Sequence, residues 1–194
     1  MLQIQSILNS YYDTESPLGQ LLLLHSQQVA ALATAFIKHS SIKADTDFVY
    51  EAAMLHDIGV FLTHAPSILC TGTEPYIKHG ILGAKLLREN HNLPRHALVC
   101  ERHTGTGLSA DEIVRQKLPL PAMDFLPVTI EEKVICYADK FFSKSRVTTT
   151  KSYTQVAESL QKFGTDTISR LTAMKELFGT PEMLPPTPYV HFMP

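Results

Sequence analysis

The chain has 194 residues, of which 44% are hydrophobic and 19% are charged, and its formal net charge is −2; these values describe one globular domain with a sizeable core. The chain lacks the excess of basic residues that is typical of a general nucleic-acid binder, so any attraction for phosphate must come from a local group of basic residues. The apolar runs are short for a membrane span and the first residues lack the features of a secretory signal, so we expect a cytoplasmic protein that does not cross a membrane.

Apolar residues recur at intervals of three and four along the chain, and no segment alternates convincingly as a strand would. We therefore predict an all-α fold. The first strong helical pattern covers Pro17 to His39 and places His25 on or beside its buried face. A lone buried histidine is usually satisfied by a backbone carbonyl, so His25 gains interest only from the other candidate ligands that follow.

The most informative motif is His56-Asp57-Ile58-Gly59, in which an imidazole and a carboxylate are neighbours. Apolar residues precede the motif and a glycine closes it, which predicts that the pair lies at the end of a buried helix. An ionised aspartate in apolar surroundings costs several kcal/mol unless a cation or dense hydrogen bonding compensates it. A divalent metal ion supplies that compensation directly, so the doublet indicates a metal site.

The segment after the doublet, Val60 to Pro75, is rich in Thr, Gly and Pro and is typical of a loop that closes over a cleft. A helix predicted from Tyr76 to Asn90 turns His79 inward. A short helix predicted from Pro94 to Arg102 delivers His103 just ahead of a glycine-containing loop, which matches no phosphate-binding fingerprint.

Two more helices complete the pattern after a short helix capped by Ser109 and a Pro-containing extended stretch. Thr129 and Glu132 form a capping-box pattern, and on the helix that follows Asp139 lies among apolar neighbours. A carboxylate there needs a metal or an ion-pair partner, and both alternatives remain open. The last helix is predicted from Tyr153 to Phe178. We divide the chain into one domain, residues 1–180, and a Pro-rich tail, residues 181–194, without assigned chemistry.

Basic residues near the candidate ligands are the natural partners of a phosphate group. Our substrate-binding candidates are Lys78, Arg102, Lys140 and Arg146. The alternative, a solvated side chain on an outer helix face, is the preferred interpretation of Lys78. The remaining histidines are predicted to be exposed: His39, His64, His91, His96 and His191. Of these, His64 is a candidate proton donor because it lies in the possible lid. The three cysteines have no paired spacing and are predicted to be small buried side chains.

The chain resembles the HD-domain superfamily of metal-dependent phosphohydrolases, in its His-Asp-Ile-Gly branch, over about residues 22–144. The resemblance lies in an ordered set of residues, which are His25, His56-Asp57, His79, His103 and Ala138-Asp139-Lys140. The resemblance implies a single-domain helical bundle. It also implies a first metal ion bound by four residues, which are His25, His56, Asp57 and Asp139. A second ion, bridged by Asp57, would be held by His79 and His103, and these three residues are the predicted catalytic group.

Mixed imidazole and carboxylate ligands suit Mn, Fe, Co, Ni or Zn better than Mg or Ca, so we expect one or two divalent transition-metal ions of unknown identity. Such an ion lowers the pKa of bound water from about 16 to about 7. The expected reaction is hydrolysis of a phosphoester or phosphoanhydride in a small phosphorylated compound, a nucleotide or dinucleotide, by attack of metal-bound hydroxide.

Two other functions use the same ligand set. One is a di-iron oxygenase, because some relatives in the superfamily use a similar six-ligand arrangement to activate oxygen. The other is a regulatory module that binds a nucleotide without turnover, although a degenerate sensor would be expected to have lost at least one ligand. The sequence also leaves a homo-oligomer open.

Overall fold

The computed structural model describes residues 2–145 and 149–185. Within these residues the fold is a bundle of α-helices, which confirms the predicted fold class. In chain order the helices are α1 (Ile4–Asn9), α2 (Pro17–Ser40), α3 (Thr46–Leu55), α4 (His79–His91), α5 (Pro94–Arg102), α6 (Ala110–Arg115), α7 (Ile130–Asp139), α8 (Tyr153–Leu160) and α9 (Thr165–Phe178).

Helix α2 forms the centre of the bundle and packs against α3, α7 and α9. Ser16 starts it by accepting a hydrogen bond from the Gly19 N–H, and Pro17 occupies the first turn, where no donor is missed. Among the described helices, α2 is the one whose length and composition would suffice to cross a membrane, and 56% of its most apolar stretch is buried in this protein. Core helices pass the same test, and α2 serves here as the core to which the site is attached.

Three short strands occupy the segment that was predicted to be a loop, so the expectation of no strands was wrong. They are β1 (Thr63–Ala65), β2 (Cys70–Thr71) and β3 (Glu74–Pro75). Strand β1 lies between the other two, antiparallel to β2 and parallel to β3. Strands of two or three residues are too short to produce a recognisable alternation of polar and apolar residues, which is why the sequence pattern missed them.

The predicted helix from Tyr153 to Phe178 is interrupted, so that prediction was also wrong. Helix α8 ends at Leu160, a 3-10 turn follows, and Gly164 has a φ of 107° before α9 begins. That conformation favours glycine, and it breaks the helical hydrogen-bonding pattern between two segments that each keep helical periodicity. The predicted tail begins with a 3-10 turn in which Pro181 is buried, and residues 186–194 lie outside the described residues.

His96 is buried, at 8% exposure, which corrects the prediction that it faces solvent. Its ring packs edge-on against Phe48 with 4.9 Å between ring centroids, and burial lowers its pKa. Exposure is observed for His39 and His64, whereas His91 is half-buried and hydrogen-bonded to the Tyr11 hydroxyl at 2.8 Å. His191 lies outside the described residues. The three cysteines are buried as predicted.

Gly59 of the His-Asp-Ile-Gly motif permits a close helix approach rather than a left-handed turn. Helix α3 ends just before the doublet, as predicted, but Gly59 has a φ of −86°, which any residue adopts. A Cβ at this position would overlap the backbone of Gly83 and the carbonyl of His79 on α4. The glycine therefore lets α4 pack directly against the segment that carries the doublet.

We expect Gly59→Ala to lower the free energy of unfolding by about 2–3 kcal/mol, because one added methyl group must displace backbone atoms. Urea unfolding followed by circular dichroism measures this change. An unchanged midpoint would contradict the close approach of α4.

Candidate metal centre

The six predicted ligands lie together, although they are distributed over more than a hundred residues of sequence. Helix α2 supplies His25, and the end of α3 supplies His56 and Asp57. The start of α4 supplies His79, and the ends of α5 and α7 supply His103 and Asp139. None is more than 9% exposed. Five of the six lie at or next to helix ends, so the meeting of four helix termini beside α2 builds the site.

Three of the histidine rings are oriented by the backbone. The Nδ1 of His56 lies 2.6 Å from the Ala53 carbonyl, that of His79 lies 2.7 Å from the Tyr76 carbonyl, and that of His103 lies 2.8 Å from the Cys100 carbonyl. Because a carbonyl oxygen only accepts, each Nδ1 carries the proton and donates it. The lone pair of each neutral ring is then on Nε2, the nitrogen that faces the centre.

The first cluster consists of two histidines and two aspartates. His25 Nε2 lies 3.2 Å from Asp57 Oδ2 and 3.1 Å from Asp139 Oδ1. His56 Nε2 lies 3.1 Å and 3.6 Å from the same two oxygens. Ligands about 2.0–2.2 Å from one metal ion are separated from each other by about 3–3.5 Å, so the four atoms are spaced as the corners of a coordination polyhedron.

Hydrogen bonding does not account for this convergence. Among the described residues, both ring nitrogens of His25, His56 Nε2 and Asp57 Oδ1 are buried without a partner in hydrogen-bond geometry. Buried polar atoms are rarely left in this state, and several of them directed at one point fit a bound cation. The donor set therefore fits a divalent metal ion.

The second cluster shares Asp57 with the first. Asp57 Oδ1 lies 3.5 Å from His79 Nε2 and 3.4 Å from His103 Nε2, and the two Nε2 atoms are 3.0 Å apart. Since both rings donate through Nδ1, their Nε2 lone pairs face each other and repel unless a cation or a proton lies between them. Asp57 thus presents one carboxylate oxygen to each cluster.

Both aspartates are held in the ionised state. Burial alone would raise the pKa of Asp57, but Lys144 and His56 outweigh it and hold that pKa well below its usual range. Burial likewise opposes ionisation of Asp139, but Lys140, His25 and His56 together outweigh it and hold the pKa of Asp139 well below its usual range. Both carboxylates are therefore present as anions, the form in which a carboxylate binds a metal ion.

The pKa values of two of the histidines shift in opposite directions. Burial lowers the pKa of His56, but Asp57 and Asp139 outweigh it and raise the pKa to about 9. Burial and the neighbouring His103 lower the pKa of His79 to about 3. The second cluster is accordingly neutral in its imidazoles at neutral pH, the form in which histidine binds metals.

Two lysines lie against the carboxylates. Lys140 Nζ is 2.7 Å from Asp139 Oδ2 and donates to the His103 carbonyl at 3.0 Å. Lys144 Nζ is 2.6 Å from Asp57 Oδ2. Lys140 and Arg146 were predicted to bind substrate and Lys144 was not; Arg146 lies outside the described residues.

The other two predicted substrate-binding cations are paired elsewhere. Lys78 Nζ lies 2.8 Å from a carboxylate oxygen of Glu74. Arg102 donates to both carboxylate oxygens of Glu132, at 3.1 and 2.8 Å. Both cations are thus already compensated, and this geometry does not support their predicted role in substrate binding.

A cavity of about 510 Å³ adjoins the centre and includes Asp139, Lys140 and Lys144 in its lining. The strand-bearing segment after the doublet contributes Ile68 to one wall, in the region predicted as a lid. Tyr76, which was not predicted to be a site residue, also lines the cavity and stacks on His79 with 4.7 Å between ring centroids. Volumes of about 300–1,000 Å³ are typical of small-molecule sites.

A family model of the HD domain matches residues 22–143. The chain is 37% identical over 123 residues to the uncharacterized protein MJ0778 of Methanocaldococcus jannaschii, covering 63% of this chain and 64% of that protein. It is 30% identical over 160 residues to a tRNA (cytidine(56)-2'-O)-methyltransferase of Thermoplasma volcanium, covering 82% of this chain and 42% of the enzyme. The chain thus spans less than two thirds of the length of either relative.

Solved structures show the same fold at low identity. The HD domain of the L. monocytogenes phosphodiesterase PgpH superposes with a TM-score of 0.52 and 18% identity, covering 90% of this chain and 95% of that domain. The same domain in complex with cyclic-di-AMP gives a TM-score of 0.51, also at 18% identity, and covers 89% of this chain and 93% of that domain. On the extent of the family match, together with the helical fold, the chain belongs to the HD-domain family.

Proposed function

We propose that the chain is a metal-dependent phosphohydrolase that cleaves a phosphoester or phosphoanhydride in a small phosphorylated compound, with nucleotides and dinucleotides as the expected substrates. The observation that carries this proposal is the position of Asp57, whose two carboxylate oxygens each face a separate cluster of inward-directed imidazole nitrogens. Sites with two metal ions about 3.5–4 Å apart are characteristic of phosphoryl-group hydrolysis.

The residues divide into two metal-binding groups. His25, His56 and Asp139 would hold one ion together with Asp57, and His79 and His103 would hold another with the same carboxylate. Bound divalent ions would acidify a water molecule at neutral pH and neutralise the charge that develops on phosphate oxygens.

The chain itself positions the substrate and excludes water. Lys144 lines the cavity and lies against Asp57, so its ammonium group is placed to donate to a phosphate oxygen at the centre. Lys140, held by the His103 carbonyl, places a second positive charge at the same edge. Nearly complete burial of the ligands keeps bulk solvent away, which strengthens these interactions.

The expectation of a nucleotide substrate is supported by the similar solved structures rather than by the geometry of the site. The HD domain of PgpH belongs to a phosphodiesterase and has been crystallised with cyclic-di-AMP. The methyltransferase relative is matched over 42% of its length, so methyl transfer is not part of the proposal.

A phosphate-release screen tests the proposal. Purified protein is loaded with Mn, Fe, Co, Ni, Zn or Mg and assayed against nucleotides, dinucleotides and sugar phosphates, with and without oxygen. We expect oxygen-independent release of inorganic phosphate or of a phosphorylated product with at least one transition metal. Oxygen consumption with iron would instead identify a di-iron oxygenase, and tight nucleotide binding without turnover under every metal would identify a regulatory module.

A further inference from the structure

Lys151 lines the same cavity as Lys140 and Lys144, although it lies beyond the metal ligands in sequence. Its backbone N–H donates to the Phe141 carbonyl at 2.8 Å, which fixes this segment to the chain just after α7. The next residue, Ser152, caps α8 in a capping box. The backbone of Lys151 is therefore held in place by hydrogen bonds on both sides of the residue.

The three lysines of the cavity differ in their partners. Lys140 and Lys144 each lie against a carboxylate of the metal centre, at 2.7 and 2.6 Å. Lys151 Nζ has no carboxylate within ion-pair distance in the described parts of the chain, residues 2–145 and 149–185. Among the described residues, the cavity lining thus holds three ammonium groups and one carboxylate, that of Asp139.

The surroundings of Lys151 make its charge costly in the absence of a ligand. Burial lowers its pKa, Asp139 opposes this effect, and Lys140 and Lys144 add to the decrease. An ammonium group that is partly buried in the same cavity lining as two others, and that has one carboxylate to oppose all three, is a strong partner for a phosphate group.

We propose that Lys151 binds a second phosphate group of the substrate, so that the substrate class is a small compound with two phosphate groups. One group would lie at the metal centre beside Lys144, and the other would lie beside Lys151 in the same cavity. Binding of the first phosphate at the metal centre depends on the proposed function being correct. The anion site at Lys151 does not depend on it, because it is inferred from the cavity and the charges that line it. A volume of about 510 Å³ favours a small molecule over a folded macromolecule.

The test compares two nucleotides that share one nucleoside, adenosine 5'-monophosphate and adenosine 3',5'-bisphosphate. We expect Lys151→Met to lower kcat/KM for the bisphosphate about 10- to 100-fold, the effect of losing one charge-assisted hydrogen bond, and to change the value for the monophosphate less than about threefold. Lys85→Met, which removes an exposed lysine from α4, is the matched control and should change neither value. Lys151→Arg, which keeps the positive charge, should retain most of the wild-type kcat/KM for the bisphosphate.

Binding of inorganic pyrophosphate and of inorganic phosphate, measured by isothermal titration calorimetry on the metal-loaded protein, gives a readout that does not depend on turnover. Lys151→Met should weaken pyrophosphate binding about tenfold or more and leave phosphate binding unchanged. An equal loss for both anions, or no loss for pyrophosphate, would overturn the second site. If the wild type cleaves no compound of the phosphate-release screen with any metal but the pyrophosphate result holds, the proposed function fails and the anion site stands.

Discussion

Replacing Asp57 by asparagine is expected to lower kcat/KM for phosphate release by at least about 10³-fold and to remove metal binding from both clusters. The carboxylate contributes one oxygen to each cluster, and an amide group supplies neither the negative charge nor two equivalent oxygens. Metal content measured by inductively coupled plasma mass spectrometry, together with phosphate release by the same samples, checks the expectation.

Asp47→Asn is the matched control, because Asp47 is an exposed aspartate at the other end of α3. It should keep the wild-type metal content and activity. The loss of Asp57 also leaves the Lys144 ammonium without its partner, so circular dichroism must establish that the Asp57→Asn variant is folded. A folded Asp57→Asn protein that retains its metal and its activity would refute the site.

Replacing Lys144 by methionine is expected to lower kcat/KM about 10²-fold, since the cavity loses the cation that lies against Asp57. Metal binding should respond in the opposite direction. The ammonium group competes with metal ions for Asp57 Oδ2, so its removal should raise the affinity for a divalent ion. Phosphate-release kinetics and metal titration followed by calorimetry measure the two effects.

The exposed Lys85→Met substitution again serves as the control for loss of one positive charge. Weaker metal binding in Lys144→Met would contradict competition for the carboxylate, because it would mean that the lysine supports the ligand geometry. Unchanged kinetics would contradict a role in phosphate binding.

The six candidate metal ligands could be picked out of the sequence because most of them are chemically out of place in their local pattern. Asp57 and Asp139 are carboxylates among apolar residues, and His25 and His79 fall on buried faces of periodic helices. Helical periodicity predicts which side chains face inward. It therefore indicated that these residues are buried, although it does not indicate how the helices pack together. His103 follows the end of a helix that was also predicted correctly.

Lys144 was missed because helical periodicity stops being informative where a helix ends. Helix α7 ends at Asp139, and the turns that follow bring Lys144 back to Asp57 by a route that spacing does not encode. Spacing therefore could not distinguish Lys144 from the other cations that follow Asp139. Arg102, which adjoins a ligand, is instead paired with Glu132.

Tertiary packing accounts for the other errors. His96 is buried because α5 turns it against Phe48, a contact that no local pattern predicts. The break at Gly164 depends on a positive φ value that a glycine permits but does not require. Short strands between the doublet and α4 exist because three segments pair with one another, and each segment alone has too few residues to indicate a strand.

Anomalous X-ray scattering from crystals of the manganese-loaded protein tests most directly whether Asp57 joins two metal sites. We predict two peaks about 3.5–4 Å apart. One peak should lie within coordination distance of Asp57 Oδ2, His25 and His56, and the other near Asp57 Oδ1, with the histidines of the second cluster. Ordered crystals with no manganese peak next to the Asp57 carboxylate, or with manganese bound only at another place in the fold, would contradict the account.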